Sequence, residues 1–185
     1  LNPMKKPLQA LQDLKDRTRA RVQQHQAQRR RHEEPLALRL ATAEDLPAVL
    51  ALLVAAGLDQ PRETSPEQAR RSWAQLHTHG GEVWLAERGS SLLGALTLFV
   101  LPLLARGGVP GALVEDVAVH PLARGQGVGR ALMNQATERA RAAGACKLAL
   151  SSGQKRSGAH AFYDRLSHVR HGRSLQLPAA GEPAA

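Results

Sequence analysis

From Leu36 onward the apolar positions fall into two alternating rhythms. Leu36–Ala41 alternates around Arg39 and predicts a strand. Thr42-Ala43-Glu44-Asp45 follows as a helix start of the capping-box type, and the apolar run Leu46–Ala56 predicts a helix stopped at Gly57. Ser65 predicts a cap for a second helix, with Pro66 in its first turn and Gly80-Gly81 at its close. Glu82–Arg88 and Ser91–Leu104 predict a strand pair joined near Gly89, and Gly107-Gly108-Val109-Pro110-Gly111 a turn cluster. Then come a strand over Leu113–Val119, a helix over Val128–Ala143 ending at Gly144, a strand over Cys146–Ser151 and a helix over Gly158–Leu166. A final strand is predicted over Val169–Leu175. The order βααβββαβαβ predicts an α/β (α+β) fold, a mixed sheet with helices on its faces.

Ahead of this domain the pattern is different. Leu8, Leu11 and Leu14 have helical spacing, but only Val22 continues the stripe. That is too little apolar surface for a helix to fold alone. Residues 1–35 therefore read as a basic, helix-prone arm, residues 36–176 as the domain and 177–185 as a small, Pro/Gly/Ala-rich tail. Met4 reads as the natural start, with Leu1-Asn2-Pro3 left over ahead of it.

Composition narrows the function. A chain of 185 residues with 43% hydrophobic residues supports one domain and one good core. Aromatics are 3%, namely Trp73, Trp84, Phe99, Phe162 and Tyr163, which disfavours stacking of single-stranded nucleic acid. The one cysteine, Cys146, rules out an intrachain disulfide and a multi-cysteine metal site, and a reducing cytoplasm is the expected location. Cys146 itself is expected to be a small core residue opening a buried strand. Histidines such as His77, His79 and His120 lack metal-ligand spacing, so no metal is expected. The apolar runs Leu46–Leu58 and Leu92–Ala105 fall short of the roughly 18 residues a membrane span needs. The net charge of +9 is unevenly spread: residues 1–34 carry nine basic and four acidic side chains, the remainder 16 and 12.

The chemistry concentrates in Val117-Ala118-Val119-His120-Pro121-Leu122-Ala123-Arg124-Gly125-Gln126-Gly127-Val128-Gly129-Arg130. A strand runs into a glycine-rich turn that opens a helix. Such a turn aims backbone N–H groups at an anion, and the helix N-terminus adds positive potential. Arg124 and Arg130 add ionic contacts, so the turn reads as a pyrophosphate cradle. Arg130-Ala131 follow Gly129, where a Walker A loop needs Lys and Ser or Thr. The glycine spacing also departs from the dinucleotide fingerprint.

The stretch resembles motif A of the GNAT superfamily, the acyl-CoA-dependent N-acetyltransferases. Arg124, Gly127 and Gly129 fill the pattern Q/R-x-x-G-x-G/A after Val117, Val119 and Pro121. Ala159-His160-Ala161-Phe162-Tyr163 is similar to the second family hallmark, A-x-x-F-Y-x-x-x-G-F. Ser167 and His168 stand where that hallmark has Gly and an aromatic, so the chain departs from the family pattern there and lacks the aromatic packing anchor. The resemblance covers about residues 36–176 and is tightest over 113–166. It implies a single domain on a mixed, mostly antiparallel sheet, acetyl-CoA as cosubstrate, and in many members a homodimer.

The resemblance also implies roles. Glu115 takes the place of a general base, as in enzymes resembling glucosamine-phosphate acetyltransferases. Tyr163, the only tyrosine, takes the place of the acid toward the CoA sulfur. Asp116 points to the opposite face of an ideal strand, so one of the two acids reaches substrate unless a bulge intervenes. The backbone of Val117, Ala118 and Val119 is assigned to the pantetheine arm. Arg124, Gly125, Gln126, Gly127, Val128, Gly129 and Arg130 are assigned to the pyrophosphate, and Ser152, Arg156, His160 and Tyr163 to other parts of CoA. The run Ser151–Arg156 with Ala159-His160 looks like the branch that includes aminoalkylphosphonate acetyltransferases. Lys155, Arg156 and His160 then meet CoA phosphate or an anionic substrate, or form a solvated basic face. Three readings follow. The first is acetyl transfer to a small-molecule amine, the second to protein lysines or N-termini, the third a non-catalytic acyl-CoA-binding interaction module. Nucleic-acid binding through the arm is disfavoured, and no membrane partner is expected.

Overall fold

The computed structural model describes residues 34–60, 64–153 and 156–166. The arm before residue 34, the strand expected at Val169–Leu175, Ser167, His168 and the tail lie outside the described residues. Five strands form one sheet in the order β1-β2-β3-β4-β5: β1 Ala37–Leu40, β2 Gly81–Arg88, β3 Ser91–Leu101, β4 Gly111–Val119 and β5 Leu148–Leu150. The first four pair antiparallel, and β5 joins β4 in parallel. Four helices are described: α1 Leu46–Ala56, α2 Pro66–Thr78, α3 Val128–Ala142 and α4 Ser157–Asp164.

Local chemistry sets the helix ends. The Asp45 carboxylate accepts from the Thr42 N–H at 2.8 Å in a short 3-10 turn that leads into α1. Gly57, with φ 76°, then lets the Leu58 N–H reach the Leu53 carbonyl at 2.9 Å and close that helix. At α2 the capping box is reciprocal: the Gln68 N–H donates to Ser65 Oγ at 3.2 Å, and the Ser65 N–H donates to Gln68 Oε1 at 2.8 Å. β3 stops at Leu101 rather than Leu104, because Pro102 has no N–H to continue the ladder. β5 is three residues long, and Cys146 lies before it and is exposed. The expectation of a buried cysteine is therefore corrected: Cys146 precedes β5 at the sheet edge, its N–H donating to the Pro110 carbonyl at 2.8 Å, and its side chain is left exposed.

The sheet separates two apolar clusters. On one face α3 buries Val128, Leu132, Met133, Ala136 and Ala140 against Leu96, Leu98, Ala112 and Val114. The approach is close: a Cβ on Gly94 would lie 2.8 Å from Val128 Cγ1 and 3.0 Å from Leu132 Cδ1. Phe162, Tyr163 and Leu166 join this face from α4 and the turn after it. On the other face α1 and α2 bring Val49, Leu52, Ala56, Trp73 and Leu76 onto Val83, Leu85, Ala95 and Ala118. Helices thus cover both faces, as the pattern predicts.

Candidate active site

The site begins with an irregularity in β4. Ala95 pairs with Ala118 and Thr97 with Glu115, so Leu96 alone faces both Asp116 and Val117. One extra residue has been inserted, and Asp116 takes φ 51° to accommodate it. An insertion of one residue exchanges the two faces of a strand. Accordingly Ala112 and Val114 pack on the α3 side before the bulge, while Val117 and Val119 pack there after it. Ala118 turns to the α1 face.

The bulge has two consequences. First, β4 and β5 part company, since pairing covers only Ala112–Val114 against Leu148–Leu150. β4 continues to Val119 without β5 beside it. Second, Glu115 and Asp116 both line the cavity that opens there, together with Val114, Val117, Ser151, Ser152, Arg156, Tyr163 and Leu58. Its volume is about 160 Å³. The alternation expected of an ideal strand, with one acid excluded, does not hold, and the bulge is the reason.

The electrostatics follow from this crowding. Burial, and then the neighbouring Asp116 charge, raises the Glu115 carboxyl above its ordinary range. Asp116 keeps an exposed outer surface, yet its carboxyl is sufficiently enclosed for desolvation to raise it as well. Tyr163 is half-buried, 5.1 Å from Phe162 between ring centroids. Burial raises its phenol, Arg156 opposes that rise and Glu115 adds to it. Ser152 Oγ is buried and has no hydrogen-bond partner among the described residues.

Beside the cavity lies the glycine turn. Gly125 and Gly127 take φ 78° and 82°, and Gly127 is the N-cap of α3. Open space lies where their Cβ atoms would be. The first helical bond runs from the Ala131 N–H to the Gly127 carbonyl at 3.0 Å, so helix geometry leaves the N–H groups of Val128, Gly129 and Arg130 without intrahelical acceptors. Gly129 serves another purpose: a Cβ there would meet Phe162 Cζ at 3.1 Å, so its absence lets α4 pack on α3. The Val128 side chain is core, and Arg130 is exposed. Arg124 directs Nη2 to the Ala56 carbonyl at 3.4 Å, at the C-terminal end of α1. Gln126 turns its amide away to Arg88 and Leu122. His160 is half-buried in α4 and is not among the residues lining the cavity.

The sequence profile of the acetyltransferase (GNAT) family matches residues 46–167. The chain belongs to this family. A glucosamine 6-phosphate N-acetyltransferase of Trypanosoma brucei brucei is 35% identical over 86 residues, 46% of this chain. That alignment spans 56% of the relative's own length. The crystal structure of a Trypanosoma brucei acetyltransferase superposes with TM-score 0.69 at 28% identity, covering 78% of this chain and all of the other. A transcriptional regulator from Bacillus halodurans gives TM-score 0.73 at 28% identity, with 78% and 100% covered. A predicted acetyltransferase from Clostridium acetobutylicum, solved with acetyl-CoA, shares the fold at TM-score 0.63 and 14% identity, with 78% and 96% covered.

Against this GNAT frame, the described structure brings Glu115, Val117, Ser152, Arg156 and Tyr163 to one cavity. The glycine turn lies at the adjoining end of β4. Some neighbours of the site escape sequence reasoning, Val114 and Leu150 in the strands among them. Leu58 reaches the cavity from just beyond the Gly57 cap of α1, with no motif of its own. Arg88 meets the cradle from 38 residues away, a pairing with no local signal. Among the described residues no helix is long and apolar enough to cross a membrane, and no group of three His, Cys, Asp or Glu side chains could hold a metal ion.

Proposed function

We propose that this protein transfers the acetyl group of acetyl-CoA to the primary amine of a small molecule. The observation that carries the reading is the meeting of Glu115, Asp116 and Tyr163 in one cavity where β4 and β5 separate. The residues suit acetyl-CoA on two counts. The open positions over Gly125 and Gly127 admit a pyrophosphate close to the backbone, and the orphaned Ser152 Oγ needs a polar partner of the kind an amide-rich arm supplies. The N–H groups of Val128, Gly129 and Arg130 would hold the phosphates, with the Gly125–Gly127 backbone around them. The backbone of Val117–Val119, beyond the last β5 pair, would take the pantetheine arm. When bound, acetyl-CoA supplies an electrophilic thioester carbonyl and a thiolate leaving group.

The remaining chemistry belongs to the chain. A free amine of pKa about 10.4 is mostly protonated at neutral pH. Glu115 takes that proton, directly or through water, and its raised affinity for protons makes it a better base. Tyr163, kept neutral by burial, gives its hydroxyl proton to the departing sulfur. Asp116 adds a second negative charge that draws the ammonium form to the cavity. A cavity of about 160 Å³ takes a single amine-bearing group, and a small free amine is the simplest acceptor that fits it. The glucosamine 6-phosphate acetyltransferase likeness points the same way.

Thiol release from acetyl-CoA across a panel of primary amines tests the reading. Transfer to at least one small amine is expected, with a loss of about 100-fold or more in kcat for Glu115→Gln. A protein that neither gains thermal stability with CoA nor releases thiol with any amine would refute it.

A further inference from the structure

Arg88 is the last residue of β2, half-buried and far from the glycine turn in sequence. Its Nη1 donates to Gln126 Oε1 at 2.9 Å. The other end of that amide, Nε2, donates to the Leu122 carbonyl at 2.8 Å. The Gln126 N–H adds a longer bond to the Ala123 carbonyl at 3.3 Å. Gln126 stands between Gly125 and Gly127, the two left-handed residues of the cradle. A Gly-Gln-Gly segment left to itself samples many backbone states, and a ligand that needs one of them loses affinity in selecting it. The side chain of Gln126 is thus engaged with the protein, while the loop's backbone faces outward.

We infer that Arg88 is a positioning residue for acetyl-CoA: through Gln126 it clamps the Gly125–Gly127 segment to the end of β2, so that the cradle is formed before the pyrophosphate arrives. The inference rests on the proposed acetyl-CoA site and adds a residue that motif A does not contain. β2 is a suitable anchor because Arg88 pairs with Ser91 where the β2–β3 hairpin closes, and Trp84–Glu87 just before it are paired on both sides, by β1 and β3. The clamp acts on binding and not on the acetyl-transfer step, since neither side chain lines the reaction cavity.

Calorimetry of CoA binding and steady-state kinetics on the full chain test it. Arg88→Met and Gln126→Met should each weaken CoA about tenfold, the scale of one lost hydrogen bond to a charged group. The double variant should be no weaker than either single one, because both break the same link. KM for acetyl-CoA should rise while kcat at saturation and KM for the amine stay within about twofold. Arg88→Lys, which keeps a donor, should restore part of the affinity only when Gln126 is present. If Arg88→Met does not fold, Gln126→Met in the loop carries the same test. Unchanged CoA affinity in the folded variants would overturn the clamp. So would losses that multiply in the double variant, or rescue by Lys without Gln126, since Arg88 would then act as a free-standing charge. A wild-type chain that does not bind CoA would instead sink the proposed function itself.

Discussion

Gly127→Ala separates a cradle that depends on backbone shape from an ordinary connecting turn. Gly127 has φ 82°, and no atom lies within 4 Å of the position its Cβ would take. The substitution therefore brings no clash, and its whole cost is conformational. A residue with a Cβ held in the left-handed region costs about 1–2 kcal/mol. The loss of glycine freedom in the unfolded chain returns about 0.4–1 kcal/mol. The net is a destabilisation of about 1 kcal/mol, or a fall of about 2–4 °C in Tm for a chain of this size. If the loop relaxes to escape the strain, stability recovers but the N–H groups at the start of α3 turn away. CoA affinity then falls instead. Gly127→Asn is the control, because asparagine enters the left-handed region more readily. Urea denaturation and CoA calorimetry on the three proteins give the two quantities. Gly127→Ala with unchanged stability and unchanged CoA affinity would refute the argument, as would an Asn variant as impaired as the Ala one.

Other consequences follow from the same structure. If Glu115 must be deprotonated and Tyr163 protonated, activity should rise with pH through the raised Glu115 pKa and decline only in the alkaline range above the ordinary phenol value. Asp116→Asn removes a neighbouring negative charge from Glu115, so a pH–rate profile should show the acid limb moving to lower pH; no movement would detach that limb from Glu115. Leu132 is fully buried against β3, and Leu132→Ala should cost about 3–5 kcal/mol in urea denaturation. Arg39 donates to Asp45 at 2.7 and 2.8 Å and also holds Glu87, keeping Asp45 well below the usual carboxylate range. A depressed carboxyl contributes stability above its unfolded pKa of about 4 and loses it as pH falls toward the folded value. Asp45→Asn should flatten the acid-side decline in Tm by an amount worth about 1 kcal/mol, a modest figure because Arg39 is partly solvated.

Much of this site is legible in one sequence because its parts are local. Gly127 announces a left-handed cap, and Gly129 two residues later a close approach, although the contact that needs Gly129 is Phe162 and not phosphate. Both hallmarks place a chemical group by short-range geometry: a glycine-capped helix N-terminus in the first, one turn of α4 carrying the phenol in the second. Strand ends were less legible where a single residue decides them, as at Pro102, or where the approach of the chain does, as at Cys146.

The bulge in β4 was illegible for a different reason. Nothing in Val114-Glu115-Asp116-Val117 distinguishes an inserted residue from a regular strand, since valines flank both acids. The insertion becomes visible only against β3, where Leu96 must face two partners. Yet the sequence contains its trace one step removed. Val114 and Val117 are three apart and share the α3 face, while a regular strand would put them on opposite faces. Val119 follows on that face, and Ala118 is the small residue that fits against α1. An uninterrupted strand would instead turn Val117 toward α1 and bring the ladder with β5 past Leu150. The cavity and the second carboxylate would be lost together. The extra residue is thus the common cause of the opening, of the paired acids within it and of the raised Glu115 pKa, and the glycine turn lies downstream at the end of the same strand.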